Sequence, residues 1–277
     1  MLSIKSRRTL NGGGEIPVLG FGTYSQPPRD RVVQALKIAI STGYRLVDTA
    51  VVYQNERFIG KSLAELAVPR EELFITTKVW KDAMRVGAVR ESLEESLENL
   101  GLKYVDLLLI HRPLSVFNAD TWHAMEDLRK EGLARAIGVS NFLIKHLEAL
   151  QECSTIVPAV NQIELHPFFY RKELVDYCQA RGIIVESYSP IALGKRLGDP
   201  LLRQISNNHG KSPSQVLIRW NMQHGCVPIP RSFSEAHIKE NAAVFDFTLT
   251  KDEMGDIDGW NEDFNVIGAD PDEPDLR

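Results

Sequence analysis

The chain has 277 residues, 43% of them hydrophobic and 25% charged, the profile of a globular protein that buries a sizeable core. Its formal net charge of −5 gives no bulk attraction to nucleic acid. The opening stretch "MLSIKSRRTLNGGGEIPVLG" has no apolar run suited to a signal peptide or membrane span. Cys153, Cys178 and Cys226, odd in number and without CxxC spacing, read as reduced core residues and not as a disulfide frame or metal site. The expectation is a cytoplasmic protein without metal, nucleic-acid or membrane partners.

In chain order, "RRTLNGGGEIPV" predicts a small hairpin ahead of the first long strand, and "VLGFGT" (18–23) predicts that strand. Its exit reads "GFGTYS": Gly20 and Gly22 are present, but the third glycine of a dinucleotide-binding GxGxxG turn is missing. A helix-like run (29–43) leads to the strand "RLVDTA" (45–50), which ends in Asp48, with Tyr53 in the loop beyond. The phosphate-loop pattern fails at "NERFIGKS", where Asn55 takes the place of glycine. The strand "LFITTKV" (73–79) carries Lys78. In the helix-like run 86–101, Val86, Val89, Leu93, Leu97 and Leu100 form one apolar face.

"YVDLLLIH" (104–111) ends at His111, and "ARAIGVS" (134–140), "PAVNQIEL" (158–165), "GIIVESYS" (182–189) and "CVPIP" (226–230) complete eight strand candidates. Gly43, Gly101, Gly132 and Gly182 each follow a helix-like run, where a left-handed turn favours glycine. The tail "NVIGADPDEPDLR" reads as an acidic surface extension. Eight apolar strands separated by helices, with both nucleotide-loop patterns failing, favour an α/β fold: a closed (β/α)8 TIM barrel spanning residues 1–277 as one domain, with an N-terminal β-hairpin cap and a C-terminal loop extension.

The active site of such a barrel lies at the C-terminal ends of its strands. Asp48, Lys78 and His111 end three successive apolar runs in an acid, a base and an imidazole. Taken singly each has a plain alternative: a rim ion pair for Asp48 and Lys78, a surface tyrosine for Tyr53, a core histidine for His111. Together with "GYRLVDTAVVYQNE", "ITTKVW", "LLLIH", "AIGVSNF", "NQIELHP" and "IPRSFSEAHIKEN", they make a sequence that resembles the aldo-keto reductase family from about Gly20 to about Trp260. Its compactness is similar to the 2,5-diketogluconate reductase and prostaglandin F synthase types.

The resemblance implies that Asp48, Tyr53, Lys78 and His111 form a catalytic tetrad that reduces aldehydes and ketones with NADPH. A carbonyl that accepts hydride becomes an alkoxide and needs a proton. A free tyrosine, with pKa about 10, is a sluggish acid that a nearby ammonium improves. Tyr53 is thus expected to donate the proton, Lys78 to tune it, Asp48 to hold Lys78 and His111 to orient the substrate oxygen. By the same resemblance Ser140, Asn141 and Gln162 bond the nicotinamide carboxamide, Tyr188 stacks on the ring and Ser189 starts the loop over the pyrophosphate; Thr23 joins this group. Arg231, Ser232 and Phe233 stand at the adenosine end with Glu240 and Asn241. His237 occupies a place where the family commonly has arginine, so its charge fades near neutral pH and NADH is expected to be tolerated.

Tyr24, Val51, Trp80, Arg112 and the loop around 264–267 are expected to line the substrate mouth. Arg112 stands where the family often has tryptophan; it either attracts an anionic substrate or pairs with an acidic loop residue. The short loop 112–120 implies an open pocket and broad acceptance of aldehydes and ketones. Two rivals remain: a glycosidase using Glu164 and Glu186, and a non-catalytic NADP(H)-sensing or structural barrel. A monomer is the default.

Overall fold

The hairpin comes first: β1 (Arg7–Thr9) pairs antiparallel with β2 (Glu15–Pro17) in the computed structural model, which describes residues 2–26, 28–85 and 87–268. The chain then alternates through β3 (Gly20–Gly22), α1 (Arg31–Thr42), β4 (Leu46–Asp48), α2 (Glu56–Ala64), β5 (Phe74–Val79), α3 (Lys81–Arg85), α4 (Val89–Leu100), β6 (Val105–Ile110) and α5 (Asn118–Lys130). β7 (Ala134–Ser140), α6 (Ile144–Cys153), β8 (Val160–Glu164), α7 (Lys172–Ala180) and β9 (Ile184–Tyr188) continue the pattern. Two helices, α8 (Pro200–His209) and α9 (Pro213–Gln223), precede β10 (Val227–Pro228), and α10 (Glu235–Ala242) and α11 (Lys251–Asp258) follow it.

Strands β3 to β10 form one parallel sheet in sequence order. The Gly22 amide donates to the Pro230 carbonyl at 3.2 Å and brings the sheet round on itself. The glycines of "GFG" make that seam: a Cβ on Gly20 would lie 2.7 Å from Ile229 Cγ2, and one on Gly22 2.9 Å from the Ile229 carbonyl oxygen. They serve close backbone approach and not a nucleotide loop.

Side chains alternate in and out along each strand. The outward set packs under the helices, with Val32, Leu36, Ile75, Leu93, Leu108 and Trp220 fully covered. On α4, Val89, Leu93, Leu97 and Leu100 are buried as the spacing predicts, while Val86 lies outside the described residues. The inward set near the strand starts is a separate apolar cluster of Leu46, Phe74, Leu107, Leu109, Val160 and Val227, joined by Leu10 and Ile16 of the hairpin. The hairpin thereby plugs the barrel floor, and the Asn11 amide donates to the Pro158 carbonyl at 2.9 Å to pin it there.

Gly43, Gly101, Gly132 and Gly182 all have positive φ, as their places after helices predict. Two expectations need correction. Cys178 and Cys226 are buried, but Cys153 at the end of α6 is only half-covered. The start of the tail is not a free surface extension: the Val266 amide donates to Glu164 Oε1 at 2.7 Å. Tail residues 269–277 lie outside the described residues.

Candidate active site

Further up each strand from the apolar floor the inward side chains become polar: Asp48 two residues above Leu46, Lys78 four above Phe74, His111 two above Leu109, Gln162 two above Val160. Lys78, 1% exposed, donates to Asp48 Oδ1 and Oδ2 at 2.7 and 2.6 Å and to the Thr49 carbonyl at 2.8 Å. Its remaining contact is the Tyr53 hydroxyl oxygen at 3.4 Å. That oxygen accepts from the ammonium, which leaves the hydroxyl hydrogen free to point into the cavity.

Burial pulls the Lys78 pKa down, but Asp48 and the neighbouring Tyr53 more than offset this, so the ammonium is held charged. Tyr53 differs from expectation. Burial raises its pKa and Asp48 raises it further, and Lys78 acts in the expected lowering direction without winning. The phenol is firmly protonated before reaction, with Lys78 poised to accept charge as the proton leaves.

His111 has its pKa well below 6.5 through burial, reinforced by Lys78 and Arg112, so the ring is neutral. Among the described residues its buried Nδ1 has no hydrogen-bond partner. An orphan N–H costs more than an orphan lone pair against positive neighbours, so the hydrogen belongs on Nε2. Trp80 packs edge-on against this ring at 4.9 Å between centroids, and Tyr53 at 5.7 Å.

The Tyr53 loop is clamped from outside the tetrad by residues that sequence reading missed. Asn55, fully buried, accepts from Thr49 Oγ1 at 2.8 Å and donates to the Thr23 carbonyl at 2.8 Å. Arg29 donates to the Tyr53 carbonyl at 3.1 Å. The available signal was Asn55 itself, a polar residue starting a helix yet held in the interior.

A cavity of about 640 Å³ opens over this layer. Asp48, Tyr53 and His111 reach its wall, whereas Lys78 lies beneath it. Along one side run Ser140, Asn141, Gln162, Tyr188 and Ser189. Tyr188 donates to Asn141 Oδ1 at 2.8 Å, and the Asn141 amide donates to the His111 carbonyl at 3.0 Å. Asn141 and Ser189 sit at φ of 62° and 51°, a conformation held only where surroundings over-determine it. The far end holds Arg231, Ser232, His237, Glu240 and Asn241, and near it Ser212 donates to the Glu240 carboxylate.

Thr23 lines the near end, and its hydroxyl donates to the Asp48 carbonyl at 2.8 Å. Phe233 is off the wall: it lies between Arg31, 4.4 Å from its centroid, and Arg231 at 5.6 Å. Burial first, and then the charge of Arg31, lower the Arg231 pKa, so two guanidiniums repel each other at this end. Arg31 was missed because it lies on α1, far from Arg231 in sequence. At the mouth, Tyr24, Arg112 and Ile267 line the cavity. Val51 and Trp80 do not: Val51 begins a 3-10 turn, and Trp80 backs His111. Glu164 and Glu186, the carboxylates of the glycosidase alternative, are engaged separately, one by the Val266 amide and the other by Gln162 at 2.6 Å.

The fold and this polar layer are those of a barrel oxidoreductase. Residues 18–262 match the Aldo/keto reductase family, and the chain belongs to that family. It is 45% identical to the glyoxal reductase of Bacillus subtilis over 98% of each chain. It is 41% identical to a methylglyoxal reductase of Salmonella typhimurium over 95% of this chain and 96% of the relative. A Bombyx mori aldo-keto reductase solved in complex with NADP superposes with a TM-score of 0.90 at 38% identity, covering 96% and 95% of the two chains. The protein is an enzyme that reduces carbonyl groups.

Proposed function

We propose that the enzyme reduces small reactive aldehydes and ketones with NADPH, with Tyr53 as proton donor. The observation that carries this reading is the Tyr53 hydroxyl, on the cavity wall and 3.4 Å from an ammonium that Asp48 grips with both oxygens. The cavity residues fit a nicotinamide dinucleotide: side-chain amides at one end, Arg231 and His237 at the other, and the uncapped first turn of α10 beside Ser232 as a seat for a phosphate. When bound, the dihydronicotinamide supplies the hydride. His111 Nε2–H and the Tyr53 hydroxyl grip the carbonyl oxygen, and Tyr53 gives its proton to the forming alkoxide. Lys78 stabilises the phenolate left behind, and Asp48 keeps Lys78 in register.

The relatives' names point to α-dicarbonyl substrates. Arg112 extends the class to anionic carbonyl compounds such as α-keto acids: it is half-buried on the cavity wall, and among the described residues it makes no hydrogen bond or ion pair. The uncapped α10 turn and the Arg31–Arg231 pair favour NADPH, with NADH accepted more weakly. The remainder of the reading is a monomeric, one-domain, cytoplasmic enzyme. Its three free cysteines suit a reducing compartment, and among the described residues no helix is long and apolar enough to cross a membrane. A non-catalytic role is not favoured, because full-length relatives are reductases.

The test is NADPH oxidation with methylglyoxal and with pyruvate. Tyr53→Phe should lose about 10²- to 10⁴-fold in turnover while still binding NADPH. Arg112→Leu should raise KM for pyruvate more than for methylglyoxal. Undiminished turnover in Tyr53→Phe would remove that residue as donor, and an equal KM change for both substrates would remove Arg112 as the anion site.

A further inference from the structure

Glu186 is a buried carboxyl that the reduction chemistry leaves without a role. Glu186 points inward from β9, is 0% exposed, and shares the inner face with Ile184 of the floor and Tyr188 of the cavity. A carboxyl here costs more than an apolar residue would, and among the described residues its Oε2 has no partner. Among the described residues its one hydrogen bond is from Gln162 Nε2 to Oε1 at 2.6 Å.

That nitrogen makes a second contact, to Asp48 Oδ2 at 2.7 Å. A primary amide has two N–H hydrogens, and the two carboxyl groups take both. The amide cannot be turned over, because its oxygen would then face two carboxyl groups with one proton between them at most. The Gln162 side chain therefore has one free polar valence, the lone pairs of its Oε1, and the residue lines the cavity. Asp48 alone is a weak guide, since both its oxygens are already engaged by Lys78. Glu186 has no other obligation.

We propose that Glu186 is a positioning residue: from inside the barrel it fixes the Gln162 amide so that an acceptor, not a donor, faces the nicotinamide carboxamide and selects its NH2 group. This rests on the nicotinamide reading of the cavity given above. The role is on β9 by necessity, because Gln162 and Glu186 are direct register partners across β8 and β9.

The ionisation of Glu186 agrees with this task. Burial first, then the charge of Asp48 on β4, push its carboxyl up to about 8, opposed by Lys78 on β5 and by the bond from Gln162 on β8. These shifts favour the neutral carboxyl, whose proton belongs on Oε2 because Oε1 accepts from Gln162. A second carboxyl thus stands beside Asp48 without a second negative charge, and the match between Lys78 and Asp48 is undisturbed.

The test measures binding, by quenching of protein fluorescence, of NADPH and of its 3-acetylpyridine analogue, which lacks the NH2 group. Wild type should prefer NADPH by about 10-fold, the size of one hydrogen bond in a buried site. Glu186→Leu should bring the ratio close to one, and Glu186→Asp, whose carboxyl is one methylene short, should lower it part way. Glu186→Gln should keep the wild-type ratio, because its oxygen accepts the same N–H. Wild-type ratios in both Leu and Asp variants would overturn the proposal, as would a Gln variant that loses the ratio as fully as Leu. If Glu186→Leu does not fold, the Asp and Gln pair decides. Failure of wild type to bind either nucleotide would strike the nicotinamide reading itself, which separates the two failures.

Discussion

The barrel interior has two layers built by the same strands, about 7 to 13 Å apart along them. Below, Leu46, Phe74, Leu107 and Leu109 pack dry against the hairpin's Leu10 and Ile16. Above, Asp48, Lys78, Gln162 and Glu186 are as deeply buried but joined by short polar contacts. The lower layer gains stability from apolar area removed from water. The upper layer forfeits some of it, because charges taken out of water recover their desolvation cost only when each finds its partner. The two layers divide the labour: a floor that can lose atoms and still leave the chemistry intact, and a roof where removing one partner strands another.

The largest effect should follow from breaking the roof. Lys78→Met leaves the Asp48 carboxylate with no cation and removes the charge that stabilises a Tyr53 phenolate. Stability should fall by about 3–5 kcal/mol and turnover by at least about 10²-fold. Thermal unfolding with NADPH-oxidation assays on the same sample would show both losses; a variant losing turnover alone would mean that water solvates Asp48 in the folded protein. Leu107→Ala in the floor should cost about 2–5 kcal/mol of stability, with turnover per folded molecule unchanged. A loss of turnover there at low temperature would show that the two layers are mechanically coupled.

A pH comparison sharpens the contrast. Glu186 binds its proton more tightly folded than unfolded, since its pKa rises from 4.5 to about 8. Its contribution to stability is therefore fully present below about pH 4.5 and is lost as pH rises through about 8. Glu186→Gln removes the titration, so it should match wild-type stability at low pH and exceed it at pH 8, by on the order of 4 kcal/mol. His111 has the opposite sign: its folded pKa is depressed, so the stability that it holds above about pH 6.5 drains away as the solution is acidified. Equal melting temperatures for wild type and Glu186→Gln across this range would mean that Glu186 is ionised in the fold.

Much of this was legible in the chain. Strands buried on both faces appear as apolar runs, and eight of them with polar residues at their ends already describe a barrel with Asp48, Lys78 and His111 on one rim. What period-two reading does not supply is the register between strands. Glu186 was visible on the face of Tyr188, but only the pairing with β8 puts it against Gln162. Gly20 and Gly22 looked like half a nucleotide fingerprint, whereas their reason is Ile229 across the seam. Trp80 follows strand five directly, yet packs behind His111 instead of facing the cavity. Long-range contacts of this kind have no local signature.

The smallest effect belongs to the outer edge, where Arg31 and Arg231 flank the half-buried Phe233. Exposed charges interact weakly and are screened, unlike the pair inside the barrel. Arg31→Ala should weaken NADPH by only a few-fold at low salt, on the order of 1 kcal/mol, and leave NADH unaffected, because NADH lacks the 2′-phosphate. Arg231→Ala should cost more, since that guanidinium lines the cavity and is anchored on the Tyr24 carbonyl at 2.9 Å. Titrations of both nucleotides at low and high salt distinguish the roles: a phosphate contact shrinks as salt rises, whereas a loss that is salt-independent and common to both nucleotides would make Arg31 a packing partner of Phe233. A positive charge is thus worth little at the rim and is decisive beneath the cavity, and the difference is set by how much water each charge keeps.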